Sequence, residues 1–406
     1  MKKLLMLVLV TVLLVTAACT ATPETAAPDV VAPVETAAPV ETAAPTEPPA
    51  PSAKEIIAVC LPALDNPLML AIQDTFVNGF GADFDVQVAS ADGNAVNQAT
   101  QVENFTAMKV KLMVVMAVEA SSLVPKLIAA REAGIIVMVI GGDPGDPEAY
   151  DSVMMMNQYL SGWYQAFMAK EWVDATFPDA ADGSIETVIF ESTLNTDATN
   201  RSNGMKMITE PLMKNVNGEY TDAEGKVVAE ADAAPNPAYS SKVNAVQVVQ
   251  AEMFQAGQTA MQNVLTTNPD IKLVLAYAGD GGMGASQAIL DEFAKGPGLS
   301  VVTDLNQVAV FGVGMIGAEG PAVMDSATNK TVFRGTIRFG GDLVARTNDI
   351  VRNILDKGEI IKVIYDPLDI VKVIDGLLMA TPIEDTEVFR VPTAAPVEVK
   401  LGPPPG

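Results

Sequence analysis

Residues Gln101 to Ile140 read QVENFTAMKVKLMVVMAVEASSLVPKLIAAREAGIIVMVI, and this order of runs decides the fold class. Leu112 to Ala117 and Ile135 to Ile140 are short, continuous apolar runs of strand length. Between them lies a stretch with helical spacing of its apolar residues. A strand, a helix and a second strand in that order form the unit from which parallel sheets are built, and strands buried on both faces lose the alternation of a half-exposed strand.

The same rhythm continues on either side. Further strands are expected at Ile56 to Leu61, Phe84 to Ala89, Val153 to Met156, Thr187 to Phe190, Val246 to Gln250, Lys272 to Tyr277, Val308 to Val313 and Val332 to Ile337. Helices lie between them. In NPLMLAIQDTFVNGF, Asn66 fits the N-cap and Pro67 the first helical position. About ten strands exceed one ordinary domain and fit two α/β lobes. Asn217 to Ser241 lacks helical periodicity and reads as an inserted hairpin or loop.

The N-terminus has another character. MKKLLMLVLVTVLLVTAA carries Lys2 and Lys3, then an apolar run, then small residues, the order of an export signal. The run is shorter than the ~20 residues that span a bilayer. Thr16, Ala17, Ala18 and Cys19 resemble the lipobox of bacterial lipoproteins, with Thr16 where that motif prefers Leu. The resemblance implies cleavage before Cys19, a signal over 1–18, and a lipid on the Cys19 sulfur. From 19 to 53 the chain repeats ETAAP at Glu24, Glu35 and Glu41 with few large apolar residues, so it reads as a solvated tether.

Composition removes whole classes of function. The chain has no histidine, which excludes Ser-His-Asp and Cys-His nucleophile systems and His-ligated metal sites. Its formal net charge of −25 repels phosphate backbones and argues against nucleic acid as a partner. Cys60, the second cysteine, reads as a small apolar thiol in a buried strand. The methionines of VMMMNQ read as strand core, because consecutive strand residues point to opposite faces and cannot converge on one ion.

The order of IIAVCLPALDNPLMLAIQDTF, the Gln101 to Ile140 stretch, NVLTTNPDIKLVLAYAGDGGMGASQAI and VAVFGVGM resembles the type I periplasmic binding proteins, specifically the ribose/galactose-type solute-binding proteins of bacterial ABC importers. The resemblance implies an α/β fold of two lobes, each a parallel sheet flanked by helices, joined by three hinge crossings near Asn157, Phe339 and Asp366. One lobe would comprise 54–156 and 340–365, the other 157–339 and 366–395, with 217–241 inserted and 396–406 a tail. It implies a non-enzymatic monomer without cofactor or metal that captures a small polar, sugar-like solute by hinge closure. An ABC permease would receive the solute; a membrane receptor is the alternative partner.

Candidate ligand-binding residues lie just past strand ends: Asp65, Asn66, Glu119, Asp143, Asn157, Asp280, Met315 and Arg338. Asn66 matches a ligand-binding Asn of the family, and Asp280 matches the Asp of its ND pair. Elsewhere the pattern departs. Leu68 and Met69 stand where sugar binders stack aromatic rings, and Gly141 and Gly142 stand where they carry an Asp-Arg pair. Thr199, Val313 or Gly314, and Phe339 replace an Arg, an Asp and a Gln, while Arg201 matches an arginine that is usually structural. An unmade buried hydrogen bond costs ~1 to 3 kcal/mol, so these losses favour a ligand less hydroxylated than a hexose, or a modified sugar. GDGGMG from Gly279 and GVGMIG from Gly312 also match the G-x-G-x-x-G dinucleotide pattern, which keeps an NADP-dependent dehydrogenase as a competing reading.

Overall fold

The computed structural model describes residues 54–64, 67–194, 196–314, 316–339, 343–383 and 389–401. Cys19, Asp65, Asn66 and Met315 lie outside the described residues. Two sheets organise the chain. The first is built from β1 (Ile56–Leu61), β2 (Asp85–Ser90), β3 (Leu112–Met116), β4 (Ile136–Ile140) and β5 (Ser152–Met155), interleaved with helices α1 (Pro67–Phe80), α2 (Ala95–Met108) and α3 (Ala120–Glu132). The chain then enters α4 (Gln158–Thr176), β6 (Ile185–Glu191), α5 (Thr196–Lys206), β7 (Val243–Gln250), α6 (Phe254–Thr267), β8 (Leu273–Ala276), α7 (Gly279–Phe293), β9 (Ala309–Val313), α8 (Ile316–Ser326) and β10 (Phe333–Phe339). It returns to the first sheet for α9 (Leu343–Arg352) and β11 (Val363–Tyr365), and ends in the second with β12 (Leu368–Ile374), β13 (Leu377–Ile383) and β14 (Val397–Glu398).

The first sheet has the order β11-β5-β4-β3-β1-β2 and is parallel throughout. Its two faces carry separate cores. Ile57, Val59, Leu112, Val114, Met138 and Met154 pack on one side, and Ala58, Cys60, Met113, Val115, Val137 and Val153 on the other. Each large apolar side chain so buried contributes about 1.5–3 kcal/mol, which is why these strands read as unbroken apolar runs. The methionine run obeys the same geometry: Met154, Met155 and Met156 each pack into a different core cluster.

The second sheet, β14-β13-β12-β10-β9-β8-β6-β7, is parallel from β7 to β10 and antiparallel beyond. Sequence alternation accounts for the parallel part; β12, β13 and β14 extend it with a meander that the alternation does not signal. One sheet face is covered by α4, twelve of whose residues are buried on all sides of the helix. Trp163 at its centre donates its indole N–H to Asn236 Oδ1 at 2.9 Å. Asn236 belongs to the segment read as an insertion, and its amide also donates to the carbonyls of Met207 and Glu210. That segment forms isolated bridges, Leu212 to Pro235, Lys214 to Tyr220 and Thr221 to Val227, and a buried polar anchor holds it on the lobe. Among the described residues no helix is long and apolar enough to cross a membrane.

Two glycines let α4 and α5 approach at backbone distance. A Cβ on Gly204 would lie 2.0 Å from the Tyr159 carbonyl oxygen, and one on Gly162 would lie 2.1 Å from that of Arg201. Neither neighbour is a flexible side chain, so the helices themselves would have to separate. Gly204→Ala is expected to destabilise the protein by about 2–3 kcal/mol. The urea unfolding midpoint measures this, and a loss under half that size would show that the two helices slide apart freely.

Candidate functional site

In a parallel sheet every strand ends at the same edge, and the following helix begins there with free N–H groups. A crevice forms where neighbouring strands lead their helices to opposite faces. The strand orders place such points between β1 and β3 and between β6 and β8. Several of the sequence candidates fall on these edges. Glu119 follows β3, is exposed, and accepts the Ser121 hydroxyl, which holds its carboxyl below the usual range. The buried Gln98 fixes the loop before it by donating to Met116 O and accepting from Val118 N. Asp143 follows β4, is exposed, and accepts the Gly145 N–H at 2.8 Å.

Asn157 caps α4 by accepting the Leu160 N–H at 3.0 Å. Asp280 lies exposed in the first turn of α7, just past β8. Arg338 stands in β10 opposite Asp369 of β12, and its Nε donates to the buried Asp369 carboxylate at 2.7 Å. That ion pair occupies one side of the guanidinium and ties the antiparallel extension to the parallel strands.

The central group at the β6/β8 point is Arg201 of α5. Its Nε and Nη2 donate to Gln158 Oε1 at 2.9 and 2.6 Å, its Nη1 donates to the Tyr277 carbonyl at 2.9 Å, and its guanidinium lies 4.5 Å from the Tyr277 ring centroid. Burial lowers its pKa, because the charged form has lost water, while Tyr277, Asp197 and Glu252 act in the other direction. The Asp197 carboxyl is raised by burial and by Asp143, with Arg201 opposing. Asp143 belongs to the first sheet's edge and Asp197 to the second's. A Cβ on Gly142 would sit 3.4 Å from Asp197 Oδ2, so the two edges face each other here.

Sequence reasoning did not single out Glu319 as a buried carboxylate, and it named Asp366 only as a crossing. Glu319, in the first turn of α8, is 8% exposed. Its Oε1 lies where a Cβ on Gly279 or Gly314 would come within 2.4 or 2.3 Å, so it fills the hollow between the loops after β8 and β9. Burial, with Asp280 adding to it, raises its pKa to about 6. Asp366 lies between β11 and β12 at the third passage between the sheets, 3% exposed, and its N–H donates to the Met155 carbonyl at 2.8 Å beside the first passage. Burial raises its carboxyl to about 6 against the opposing charge of Arg346. A first-turn glutamate ordinarily complements the helix dipole; only the paired glycines before it, Gly279 and Gly314, hint that this one points inward.

The glycines of GDGGMG have structural occupations. A Cβ on Gly281 would meet the Ala251 and Glu252 carbonyls at 2.9 Å, one on Gly282 would meet Phe333 at 2.7 Å, and one on Gly284 would meet the Phe254 carbonyl at 1.9 Å. They seat α7 against α6 and the sheet, which explains the pattern without a dinucleotide. Two surface depressions lie elsewhere, one between α1 and α9 lined by Asp74, Asn78 and Asn348, the other lined by Trp172, Phe311, Arg334 and Lys372. Neither joins the two sheets.

Two α/β sheets whose C-terminal edges meet at Gly142 and Asp197 define a two-lobed fold. The chain belongs to the periplasmic binding protein domain family, whose model matches residues 57–334. No protein of curated function matches the sequence. Among solved structures, a periplasmic ribose ABC transporter protein from Conexibacter woesei DSM 14684 is similar at 15% identity and a TM-score of 0.58, over 79% of this chain and 92% of that one. An ABC transporter solute-binding protein from Bacillus halodurans C-125 with bound myo-inositol is similar at 18% identity and 0.57, over 79% and 95%. A periplasmic solute-binding protein from Actinobacillus succinogenes 130z with bound D-allose gives 18% and 0.53, over 79% and 98%. These likenesses establish the fold.

The raised carboxyls set a pH dependence. Ionising Glu319 or Asp366 in the fold costs more than ionising it in the unfolded chain. The stability tied to each is therefore complete below the ordinary carboxylate range near 4 and is lost as the pH rises through about 6. Each shift corresponds to on the order of 2 kcal/mol. Glu319→Gln is expected to raise the melting temperature at pH 7.5 and to lose that advantage near pH 4. A lower melting temperature at pH 7.5 would mean that the carboxylate has found a cationic partner.

Proposed function

We propose that the protein is an extracytoplasmic solute-binding lipoprotein that closes its two lobes on a small, sugar-like solute and presents it to an ABC permease. The observation that carries this reading is the opposition of the two strand edges, with Gly142 of one against the Asp197 carboxylate of the other. A ligand touching both edges gains contacts only when they approach, so its binding energy becomes a shift in lobe separation that a membrane partner can read. A few kcal/mol of such differential contact suffices to move a mostly open population to closed. Family membership supports a periplasmic binding role. Relatives of the same fold include a ribose transporter protein and proteins holding myo-inositol and D-allose, which supports a polyhydroxylated ligand.

Of the sequence candidates, Glu119, Asp143, Asn157 and Asp280 suit this role by position at strand ends. Asp280 combines exposure with the N-terminus of α7. A thermal-shift screen of pentoses, hexoses, cyclitols and their derivatives should find a stabilising solute, and small-angle scattering with it should show a smaller radius of gyration. Asp280→Ala should weaken its binding about tenfold, ~1.4 kcal/mol, with an unchanged melting temperature. A screen in which no solute stabilises or compacts the protein would sink the proposal.

Attachment is the second part of the reading. Lipid on Cys19 and a Pro/Thr/Ala-rich run of some thirty residues, reaching on the order of 100 Å when extended, would keep the binding lobes near the permease at high local concentration. Cys19→Ser should transfer the protein from the membrane fraction to the soluble extracytoplasmic fraction. Retention in the membrane would assign anchoring to an uncleaved N-terminal segment instead.

A further inference from the structure

Glu319 is a buried acidic group at the C-terminal edge of the second sheet which, unlike Asp369 beside Arg338, has no cationic partner among the described residues. It sits between the ends of β8 and β9, with residue exposure of 8%, and only the absence of side chains at Gly279 and Gly314 leaves room for it. Among the described residues, none other than Glu319 itself donates a hydrogen bond to this carboxylate, and none forms an ion pair with it. The charged neighbour it feels is Asp280, of the same sign. Burying a carboxylate with no donor beyond its own main-chain N–H is costly, and a second carboxylate beside it adds to the cost. The arrangement is compensated when something from outside supplies donors and positive charge.

The rest of the edge offers no surplus positive charge, since Arg338 is paired with Asp369. Asp143 and Asp197 form a second like-charged couple, and Glu252 lies near Arg201 and Tyr277. Arg201 is the cation among these groups, but three of its N–H donors are engaged by Gln158 Oε1 and the Tyr277 carbonyl and its face by the Tyr277 ring. A neutral polyol brings hydroxyl donors and leaves the excess negative charge standing. An ammonium group brings three donors and the missing charge in one group, and charge-assisted hydrogen bonds are the stronger kind.

We propose that the cleft is built for a polyol carrying a protonated amine, an amino sugar or aminocyclitol, with the Glu319 carboxylate accepting from its ammonium group. This deepens the solute-binding reading and rests on it. The two glycines then have a functional reason: they let a carboxylate from α8 take the place where a side chain from either strand-end loop would stand. It also accounts for the departures from the sugar-binding pattern, since the site would recognise charge where neutral-sugar binders recognise additional hydroxyls.

The test uses matched probes at pH 7.0, with calorimetry and thermal shift: D-glucosamine, D-galactosamine, D-mannosamine and scyllo-inosamine, each against its neutral parent, and the three amino sugars also against their N-acetyl forms. At least one amine is expected to bind about tenfold or more tighter than its parent, and N-acetylation, which removes the charge but keeps an N–H, should abolish the preference. Glu319→Gln should bring the ratio of amine to parent close to one. Gly314→Ala should do the same by a different route, because its Cβ displaces the carboxylate without removing it. Tighter binding of the neutral parents, or an amine preference that survives in Glu319→Gln, overturns the inference while the solute-binding reading stands. Equal binding of amine and parent, or no binding of any probe, also overturns the inference, while the solute-binding reading falls only if the wider solute screen finds nothing.

Discussion

A guanidinium taken out of water and answered by carbonyls holds the site together. Arg201 takes two hydrogen bonds on the Gln158 side-chain carbonyl, at the first passage between the sheets, and one on the Tyr277 main-chain carbonyl, at the end of β8. Its charge therefore links the passage, the α5 helix that carries Asp197, and the loop that leads to Asp280. Neutral acceptors solvate the charge without cancelling it, so the field of Arg201 still reaches Asp197 and Glu252. Had a carboxylate closed on it, the edge would have neutralised itself and left less for a ligand to do.

The second constraint is close backbone approach. Gly162 and Gly204 bring α4 against α5, Gly257, Gly281 and Gly284 bring α6 against α7, and Gly279 with Gly314 admits a side chain from α8. The first two sets bear on packing and the third on chemistry, yet all use the same property, the missing Cβ. Helices that pack this closely move as units. Under the proposed closure, motion would fall to the short passages, where the Asp366 amide donates to the Met155 carbonyl and two of the three strands of chain run side by side.

Strands such as β1, β3 and β9 were legible because burial on both faces writes itself as an apolar run, and these three are almost wholly buried. The last strands were not, for a definite reason. β12 carries Asp369 and Lys372 and follows Asp366 and Pro367, residues that read as loop until Arg338 is placed opposite Asp369 and satisfies it. The insertion read as loop does lack a regular ladder, but its attachment through Asn236 to Trp163 depends on a contact between distant residues that no local pattern reveals. At the site, strand-end positions such as Asp143 and Asp280 follow from topology. Glu319 does not, since its inward direction is a property of the space between two glycines far apart in sequence.

Cys60 shows what the first sheet's core means over time. Its thiol lies in β1 with no exposure, and burial pushes its pKa up to about 12. Oxidants attack the thiolate, and a thiol that neither ionises nor meets solvent is chemically silent in an oxidising compartment. Its sulfur becomes available only when the sheet opens. The survival of the reduced sulfur in an aged sample is therefore a clock for how often that lobe has come apart, and a solute that stabilises the folded state should slow it.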